Sequence, residues 1–464
     1  MPVPAEFVWG VASSAYQIEG AVSDDGRSPS SWDAFCEQDG RVFNGHSGEV
    51  ACDHYHRLEE DTDLIAGLGV GAYRLSVSWP RVLPEVTGRV NEAGLAYYDR
   101  LIDALLARGV DPWVTLYHWD HPQAMQEQGG WLNRDSADWF AEYAAVVVDR
   151  LSDRVRHWMT INEPQIFIGL GHVSGEHAPG LKLSRREALL VSHHALLAHG
   201  KGVEAIRNHA RTDPVIGWAP VGDVVVPIDE STGSVEAARQ LMFTVREPDR
   251  AWAFNNTWFA DPVVHGHYPE DAIALFGADA PDVQSGDMEQ ICQPIDFYGM
   301  NTYSARVARM GESGAELVEF PPGHPRTAFG WAVTPEAMYW GPKFLSERYK
   351  LPICVTENGL ASMDWVGLDG GVADTGRIDF LARYIGQLER AVREGVDVQG
   401  YFHWSILDNF EWAEGYRMRF GLVHVDYETQ ARTAKASYHW YRDVIARGGV
   451  AQAFEGSNAS TGDA

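Results

Sequence analysis

Eight short runs of β-forming residues recur along the chain, and segments with helical periodicity separate them. The runs cover residues 7–12, 72–79, 113–119, 158–162, 215–219, 297–303, 353–357 and 399–405. Several are almost unbroken apolar stretches, as expected for strands that are buried on both faces. This alternation is typical of βα units that assemble a parallel sheet.

Amphipathic helices are predicted between these runs. Tyr98, Leu101, Ile102 and Leu105 follow the i, i+3, i+4, i+7 spacing of one helix face, and Gly109 provides a stop signal. Eight strands with intervening helices predict an α/β fold, a single (β/α)8 barrel. Such a barrel needs about 250 residues, so we expect the rest of the 464-residue chain to form long βα loops. We predict one domain over residues 1–450 and a polar tail over 451–464.

The side chains best suited to chemistry follow the carboxyl ends of the predicted strands. They are Gln17, His118, Asn162, Glu163, Asn301, Tyr303, Glu357 and Trp404. Structural accident would scatter such residues over both ends of the strands. Because (β/α)8 barrels build their active sites from the loops at this end, the pattern predicts one shared pocket.

Two of these residues are glutamates that each close an apolar run beside an asparagine. Glu163 lies in T-I-N-E-P and Glu357 in V-T-E-N-G, 194 residues further on. A lone glutamate is usually a solvated surface charge, but a carboxylate at the end of a buried strand is costly without a partner or a function. Two carboxyl groups in one pocket suit glycosidic bond cleavage, one as proton donor and the other as nucleophile or base.

Two residues and one segment have both a structural and a functional interpretation. Arg74 pairs either with Glu357, holding it ionised, or with another acid. His118, in H-W-D, is either a satisfied core histidine or a contact to a sugar hydroxyl, and we favour the contact. The aromatic segment 402–412 is either a packed rim cluster or a sugar site. In the second reading Trp404 is a stacking floor, and Glu411 and Trp412 select hydroxyls.

Charge and composition exclude several other classes. The net charge of −28 argues against nucleic acid and anionic membrane surfaces as partners, and it disfavours anionic substrates unless a local basic pocket exists. No run of about 18 apolar residues predicts a membrane span. The amino terminus lacks the pattern of a secretory signal, so we expect a cytoplasmic protein with four free cysteines.

The sequence predicts neither a metal site nor a cofactor. His54 and His56 are two residues apart, so on a helix they would not share a face. Gly67, Gly69 and Gly71 precede a strand, whereas a dinucleotide-binding fingerprint follows one. The phosphate-loop motif G-x-x-x-x-G-K-[ST] and the nucleophile elbow G-x-S-x-G are both missing from the sequence.

Taken in order, the motifs resemble glycoside hydrolase family 1, the β-glucosidase family, from Phe7 to about Tyr441. The resembling segments are F-V-W-G (7–10), Y-Q-I-E-G (16–20), Y-R-L-S-V-S-W-P-R (73–81), H-W-D (118–120), G-G-W-L-N-R (129–134), N-E-P (162–164), T-E-N-G (356–359) and the stretch 404–426. Each segment is moderately specific, and their shared order makes coincidence negligible.

The resemblance implies a role for each matching position. Glu163 would be the acid/base and Glu357 the nucleophile, which Tyr303 would hydrogen-bond. Asn301 would orient the site, and Trp331 would form an aromatic platform on the aglycone side. The residues that would bind the sugar hydroxyls are Gln17, His118, Asn162, Glu411 and Trp412, with Trp404 stacked beneath the ring.

We therefore expect a retaining exo-β-glycosidase acting on a small β-glycoside. One alternative is a 6-phospho-β-glycosidase, although Glu411 is present and residues 416–420 contain no lysine to hold a phosphate. A second alternative is a carbohydrate-binding protein without turnover. The sequence does not determine whether the enzyme prefers glucosides, galactosides or fucosides. It also leaves open whether identical chains assemble into an oligomer.

Overall fold

The eight predicted runs form one closed parallel barrel in the computed structural model, which describes residues 3–246 and 251–450. The barrel strands are β1 Val8–Ala12, β2 Ala72–Ser76, β3 Asp111–Tyr117, β4 His157–Asn162, β5 Val215–Ala219, β6 Phe297–Asn301, β7 Ile353–Asn358 and β8 Val398–Trp404. Each strand pairs in parallel with the next, and β8 pairs with β1. The predicted fold class is confirmed. The tail predicted over 451–464 lies outside the described residues.

Three strands end two or three residues earlier than their runs predict. β2 ends at Ser76 because a helix, Trp79–Val82, begins within the run, and its Pro80 lies in the first helical turn. The fixed φ of proline suits that position. β3 ends at Tyr117, two residues before Trp119, whose φ of +79° is incompatible with a strand. β6 ends at Asn301, so that Tyr303 belongs to the following loop.

Nine helices of nine residues or more lie within the described residues. They are α1 Leu58–Gly67, α2 Glu92–Ala107, α3 Ser136–Leu151, α4 Arg185–His209, α5 Thr232–Phe243, α6 Thr257–His265, α7 Ala337–Tyr349, α8 Thr375–Arg393 and α9 Ala436–Arg447. In α2 the apolar positions expected to face the core are buried, and Gly109 follows the helix with a φ of +75°. The periodicity therefore placed both the helix and its buried face.

Short elements fill the βα loops. The helical ones are Ala15–Ile18, Asp24–Gly26, Ser31–Cys36, Phe43–Gly45, Trp79–Val82, Gln123–Glu127, Gly130–Leu132, Pro164–Ile168, Gly169–Ser174, Ala251–Phe254, Glu270–Phe276, Gly277–Asp279, Asp287–Ile291 and Trp412–Glu414. A three-stranded sheet is built from Val225–Pro227, Arg306–Gly311 and Gly314–Val318, and Val423–Val425 pairs with Arg432–Ala434. The three helical elements between residues 270 and 291 lie between α6 and β6, and the other elements follow barrel strands on their carboxyl side.

Aromatic side chains close the inside of the barrel below the βα loops. Trp113, near the start of β3, packs against Phe297 at 5.6 Å and Phe402 at 5.0 Å between ring centroids. Cys354 is buried in the same cluster, as expected for a small core residue. Since the interior is filled from below, the space left for a ligand lies at the carboxyl ends of the strands.

The histidines His54 and His56 have structural partners. His54 is buried, and its Nδ1 lies 2.8 Å from Asp61, which also accepts hydrogen bonds from Arg432. His56 contacts Asp53. Across the described ranges, no three metal-ligating side chains converge, and no helix is long and apolar enough to cross a membrane.

Candidate active site

A cavity of about 530 Å³ opens at the carboxyl ends of the barrel strands. Eight of the eleven residues predicted to act or bind in the site line it, namely His118, Glu163, Tyr303, Trp331, Glu357, Trp404, Glu411 and Trp412. Gln17, Asn162 and Asn301, together with Arg74, lie directly behind these side chains and hydrogen-bond to them. The structure thus brings all the predicted residues into one connected site.

Both carboxylate oxygens of Glu357 accept hydrogen bonds. Arg74, which lies in β2 and is 1% exposed, donates from Nη1 to Glu357 Oε1 at 2.5 Å. The hydroxyl of Tyr303 donates to Glu357 Oε2 at 2.6 Å. Of the two partners open to Arg74, the observed one is therefore Glu357. Glu357 is therefore paired with a cation and has a hydrogen-bond donor on each of its oxygens.

Glu163 has a different set of neighbours. Asn301 Nδ2 donates to Glu163 Oε1 at 2.7 Å and to Asn162 Oδ1 at 3.0 Å. The amide orientation of Asn301 is set by Thr356, whose hydroxyl donates to Asn301 Oδ1 at 2.6 Å. Asn162 Oδ1 also accepts from Arg74 Nη2 at 2.7 Å. One hydrogen-bond network therefore runs from Glu163 to Glu357.

These surroundings separate the protonation states of the two glutamates. Burial, and then the nearby charge of Glu357, raise the pKa of Glu163 well above its ordinary value, against smaller opposing effects of Asn301 and Arg74. The raised pKa favours the protonated form of Glu163, whereas Glu357 lies in an ion pair with Arg74. A protonated acid beside an ionised carboxylate is the division of roles that two-carboxyl catalysis requires.

Two more titratable groups in the wall are kept neutral by burial. Burial, with a smaller contribution from Glu357, raises the pKa of Glu411 to about 8. Burial and the charge of Arg74 hold the pKa of His118 well below its ordinary value. His118 Nε2 lies 3.1 Å from Asn162 Nδ2, so a neutral imidazole accepts that hydrogen bond and keeps its Nδ1–H to donate. The wall thus offers neutral groups to a neutral ligand.

Three non-glycine residues of the lining have left-handed backbone conformations. The φ angles are +79° at Trp119, +43° at Glu163 and +51° at Trp412. Side chains with a Cβ rarely adopt this region, and such strain persists only where the surroundings impose it. At Glu163 the strained residue joins the end of β4 to the helix Pro164–Ile168. The strained backbone at Glu163 costs some stability, and it fixes the position of the carboxyl group.

Gln17 and Glu411 form the polar corner of the cavity. Gln17, on the helix Ala15–Ile18, is fully buried and accepts a hydrogen bond from Ser14 Oγ at 2.7 Å. Its Nε2 lies within 3.2 Å of Asn409 Oδ1, the Phe410 carbonyl and Glu411 Oε2. This network orients both side chains before any ligand arrives.

Aromatic rings form two walls on opposite sides of the carboxyl pair. On one side His118 lies nearly parallel to both Trp404, at 5.7 Å, and Trp412, at 5.9 Å. On the other side Trp331 stacks on Phe329 at 4.5 Å and contacts Tyr303. Flat aromatic faces bind the C–H surfaces of rings, so both walls suit sugars or aryl groups.

A smaller cavity of about 250 Å³ adjoins the main one, and we call it the side cavity. It shares Glu163, Ile166, Tyr303 and Trp331 with the main cavity and extends to Asp223 and Arg306. None of the four main-cavity residues His118, Trp404, Glu411 and Trp412 lines it. The side cavity therefore lies on the Glu163 side of the site.

Some residues of the site were not predicted from the sequence. Thr356 lies inside a recognised motif, yet its role in orienting Asn301 depends on a contact between strands. Phe329 and Phe420 line the cavity, and their only signal was proximity to Trp331 or to the aromatic stretch. His177, from the fourth βα loop, lines the cavity too and carried no signal in the sequence.

Comparisons with known proteins agree with this geometry. The model of glycosyl hydrolase family 1 matches residues 1–450. β-Glucosidase A of Thermotoga maritima is 44% identical over 450 residues, covering 96% of this chain and 98% of the relative. A bifunctional β-D-glucosidase/β-D-fucosidase of Bifidobacterium breve is 41% identical with the same coverages. The solved structure of the T. maritima β-glucosidase with glucoimidazole matches with a TM-score of 0.88, covering 97% of this chain and 99% of that one.

Proposed function

Because the chain belongs to glycosyl hydrolase family 1, we propose that it is a retaining β-glucosidase. It removes terminal, non-reducing β-D-glucosyl residues from oligosaccharides and from aryl or alkyl glucosides. The observation that carries the proposal is the pair Glu163 and Glu357 in one cavity, the first with a raised pKa and the second paired with Arg74. Retaining glycosidases need this pair.

In the first step Glu357 acts as the nucleophile and Glu163 as the acid. A carboxylate oxygen of Glu357 attacks the anomeric carbon while the bond to the leaving oxygen breaks. Glu163 transfers its proton to that oxygen, so the aglycone leaves as a neutral alcohol. The product is a glycosyl-enzyme ester with inverted anomeric configuration.

In the second step Glu163 acts as a base. Its carboxylate takes a proton from water, and the water oxygen displaces Glu357 from the anomeric carbon. Esterification of Glu357 has removed the charge that raises the pKa of Glu163, so the same group is more readily deprotonated at this stage. The second inversion restores the β configuration and regenerates both starting protonation states.

The polar corner and the wall of Trp404 hold the sugar. Gln17, His118, Asn162, Glu411 and Trp412 are proposed to bind its hydroxyls, and Trp404 to stack beneath it. Tyr303 hydrogen-bonds Glu357, Asn301 orients Glu163, and Trp331 faces the aglycone. A sugar that lacks one of the matching hydroxyls leaves a buried polar group unpaired, which is how such sites discriminate. Galactosides and fucosides are further candidate substrates, since a relative with both glucosidase and fucosidase activities is 41% identical.

We also propose that residues 1–450 act as one domain and that the enzyme works in the cytoplasm. The family model spans those residues. All four cysteines are free thiols, which fits a reducing compartment. Imported disaccharides such as cellobiose, or small aryl glucosides, are then the expected substrates.

Proton NMR during hydrolysis of 4-nitrophenyl β-D-glucoside tests the mechanism. We expect β-glucose to appear first and α-glucose to follow only by mutarotation. If α-glucose appears first, the enzyme inverts and Glu357 is not the nucleophile. Turnover of the 6-phosphorylated glucoside alone would favour the phospho-glycosidase alternative, and binding without any turnover would favour a carbohydrate-binding protein.

A further inference from the structure

The side cavity lies where the leaving group of a glycoside must go. Glu163 faces both cavities, and the residues proposed to hold the sugar line only the main one. Because an acid catalyst protonates the oxygen between sugar and aglycone, the aglycone lies on the far side of Glu163 from the sugar. The residues that line the side cavity are therefore placed to contact the leaving group.

Two arginines converge on one carboxylate in this cavity. Asp223 Oδ2 accepts a hydrogen bond from Arg306 Nη1 at 2.8 Å and lies 3.4 Å from Arg246 Nη2. Burial, and then the charge of Arg306, lower the pKa of Arg246, as expected for two cations held close together. Among the residues that the structure describes, one carboxylate stands against two guanidinium groups, so this cluster carries a net positive charge.

Arg306 has hydrogen-bonding capacity to spare. Its side chain lines the side cavity and is 48% exposed. Within the described residues, the guanidinium group forms a hydrogen bond and an ion pair only with Asp223. A guanidinium group carries five N–H donors in a planar fork that matches a carboxylate. In a protein of net charge −28, this cluster is a local exception to a field that repels anions.

Much of the remaining wall of the side cavity is apolar. Ile166, Val224, Phe254, Ala305 and Trp331 all contribute to it. Apolar and aromatic surfaces beside a cationic group suit an aryl ring that carries a single anionic substituent.

We propose that the side cavity selects aromatic aglycones that bear a carboxylate, and this proposal rests on the proposed glucosidase function. The aryl ring packs on the apolar wall, and the carboxylate accepts hydrogen bonds from the Arg306 guanidinium. Arg306 is thus a specificity-determining residue for leaving groups, and the preferred substrates are β-glucosides of hydroxylated aromatic acids.

Two substrates of nearly equal shape test this proposal, 4-carboxyphenyl and 4-carbamoylphenyl β-D-glucoside. The measured quantity is the ratio of kcat/KM for the carboxylate to kcat/KM for the amide. Taking the ratio in both wild type and Arg306→Gln cancels the different acidities of the two phenols. Because the substitution removes a charge-assisted hydrogen bond to the carboxylate, we expect it to lower the ratio about tenfold or more.

A matched control comes from the same strand. Arg309 is 56% exposed, pairs with Glu316 and does not line the side cavity, so Arg309→Gln should leave the ratio unchanged. Raising the salt concentration should lower the wild-type ratio relative to the Arg306→Gln ratio, because salt screens the repelling net charge in both proteins but screens the attraction to Arg306 only in the wild type. An unchanged ratio in Arg306→Gln, or an equal fall in Arg309→Gln, would overturn the proposal. If the wild type fails to hydrolyse 4-nitrophenyl β-D-glucoside as well, the glucosidase function itself is wrong.

Discussion

Arg74 and Glu357 form a buried ion pair across the barrel, with Nη1 2.5 Å from Oε1 and side-chain exposures of 1% and 5%. They belong to β2 and β7, two strands that are not neighbours in the barrel. Arg74 also donates to Asn162 and to Thr115. A single guanidinium group therefore positions the proposed nucleophile relative to the end of β4, where Glu163 begins the next loop.

Replacing Arg74 by Met should reduce kcat at least about a hundredfold and destabilise the fold by about 3–5 kcal/mol, because it leaves a buried carboxylate unpaired. Arg74→Lys keeps the charge and loses the planar fork, so it should recover part of the stability and little of the rate. Steady-state kinetics and urea unfolding report the two effects. A wild-type kcat in Arg74→Met would contradict the role of this pair.

Azide should rescue the two glutamate variants with opposite stereochemistry. In Glu357→Ala, azide in the nucleophile's place attacks once from the α face and gives the α-glucosyl azide. In Glu163→Ala, azide replaces water in the second step and gives the β-glucosyl azide. The substrate is 2,4-dinitrophenyl β-D-glucoside, whose leaving group needs little help from an acid. Product NMR decides, and the same anomer from both variants would refute the assigned roles.

The pH dependence of kcat/KM should respond in opposite directions to two neighbours of Glu163. The protonated form is the active one, so activity falls as pH rises through the pKa of Glu163. The hydrogen bond from Asn301 lowers that pKa, and Glu411 raises it once its own carboxyl group ionises, which happens as pH rises through about 8. Asn301→Ala should therefore move the alkaline limb to higher pH, and Glu411→Gln should move it to lower pH. Profiles measured with 4-nitrophenyl β-D-glucoside test both signs, and shifts in one common direction would count against the assignment of this limb to Glu163.

A second buried ion pair, away from Glu163 and Glu357, should contribute strongly to the stability of the fold. Arg81 Nε lies 3.0 Å from Glu19 Oε2, and both side chains are almost fully buried. Tyr98 donates to the other oxygen of Glu19 at 2.8 Å. Arg81→Met should lower the free energy of unfolding by about 3–5 kcal/mol, since it strands the Glu19 charge.

Arg89 provides the matched control for that measurement. It pairs with Glu85 at the surface, where both side chains are at least 65% exposed, so Arg89→Met should change the free energy of unfolding by less than about 1 kcal/mol. Equal losses in the two variants would show that burial is not the cause.

Much of the fold could be predicted because strand and helix patterns are local. The apolar run before Glu357 spans only a few consecutive residues, and the helix-face spacing from Tyr98 to Leu105 spans about two helical turns. The predicted strand ends were less accurate. The end at Ser76 is set by a proline in the following helix, and the end at Asn301 is set by the start of a loop. Local patterns identify elements better than they identify boundaries.

The sequence by itself determined the barrel, the end of the barrel that carries the site, and the two glutamates. Periodicity, strand order and a charge at the end of an apolar run are all written along the chain. Only the tertiary structure decided that Arg74 pairs with Glu357, that Thr356 orients Asn301, and that Arg306 stands in a cavity beside Glu163. Those contacts join residues from separate strands and loops, and the protonation states follow from burial and from charges brought together in space. Such quantities exist only once the chain has folded.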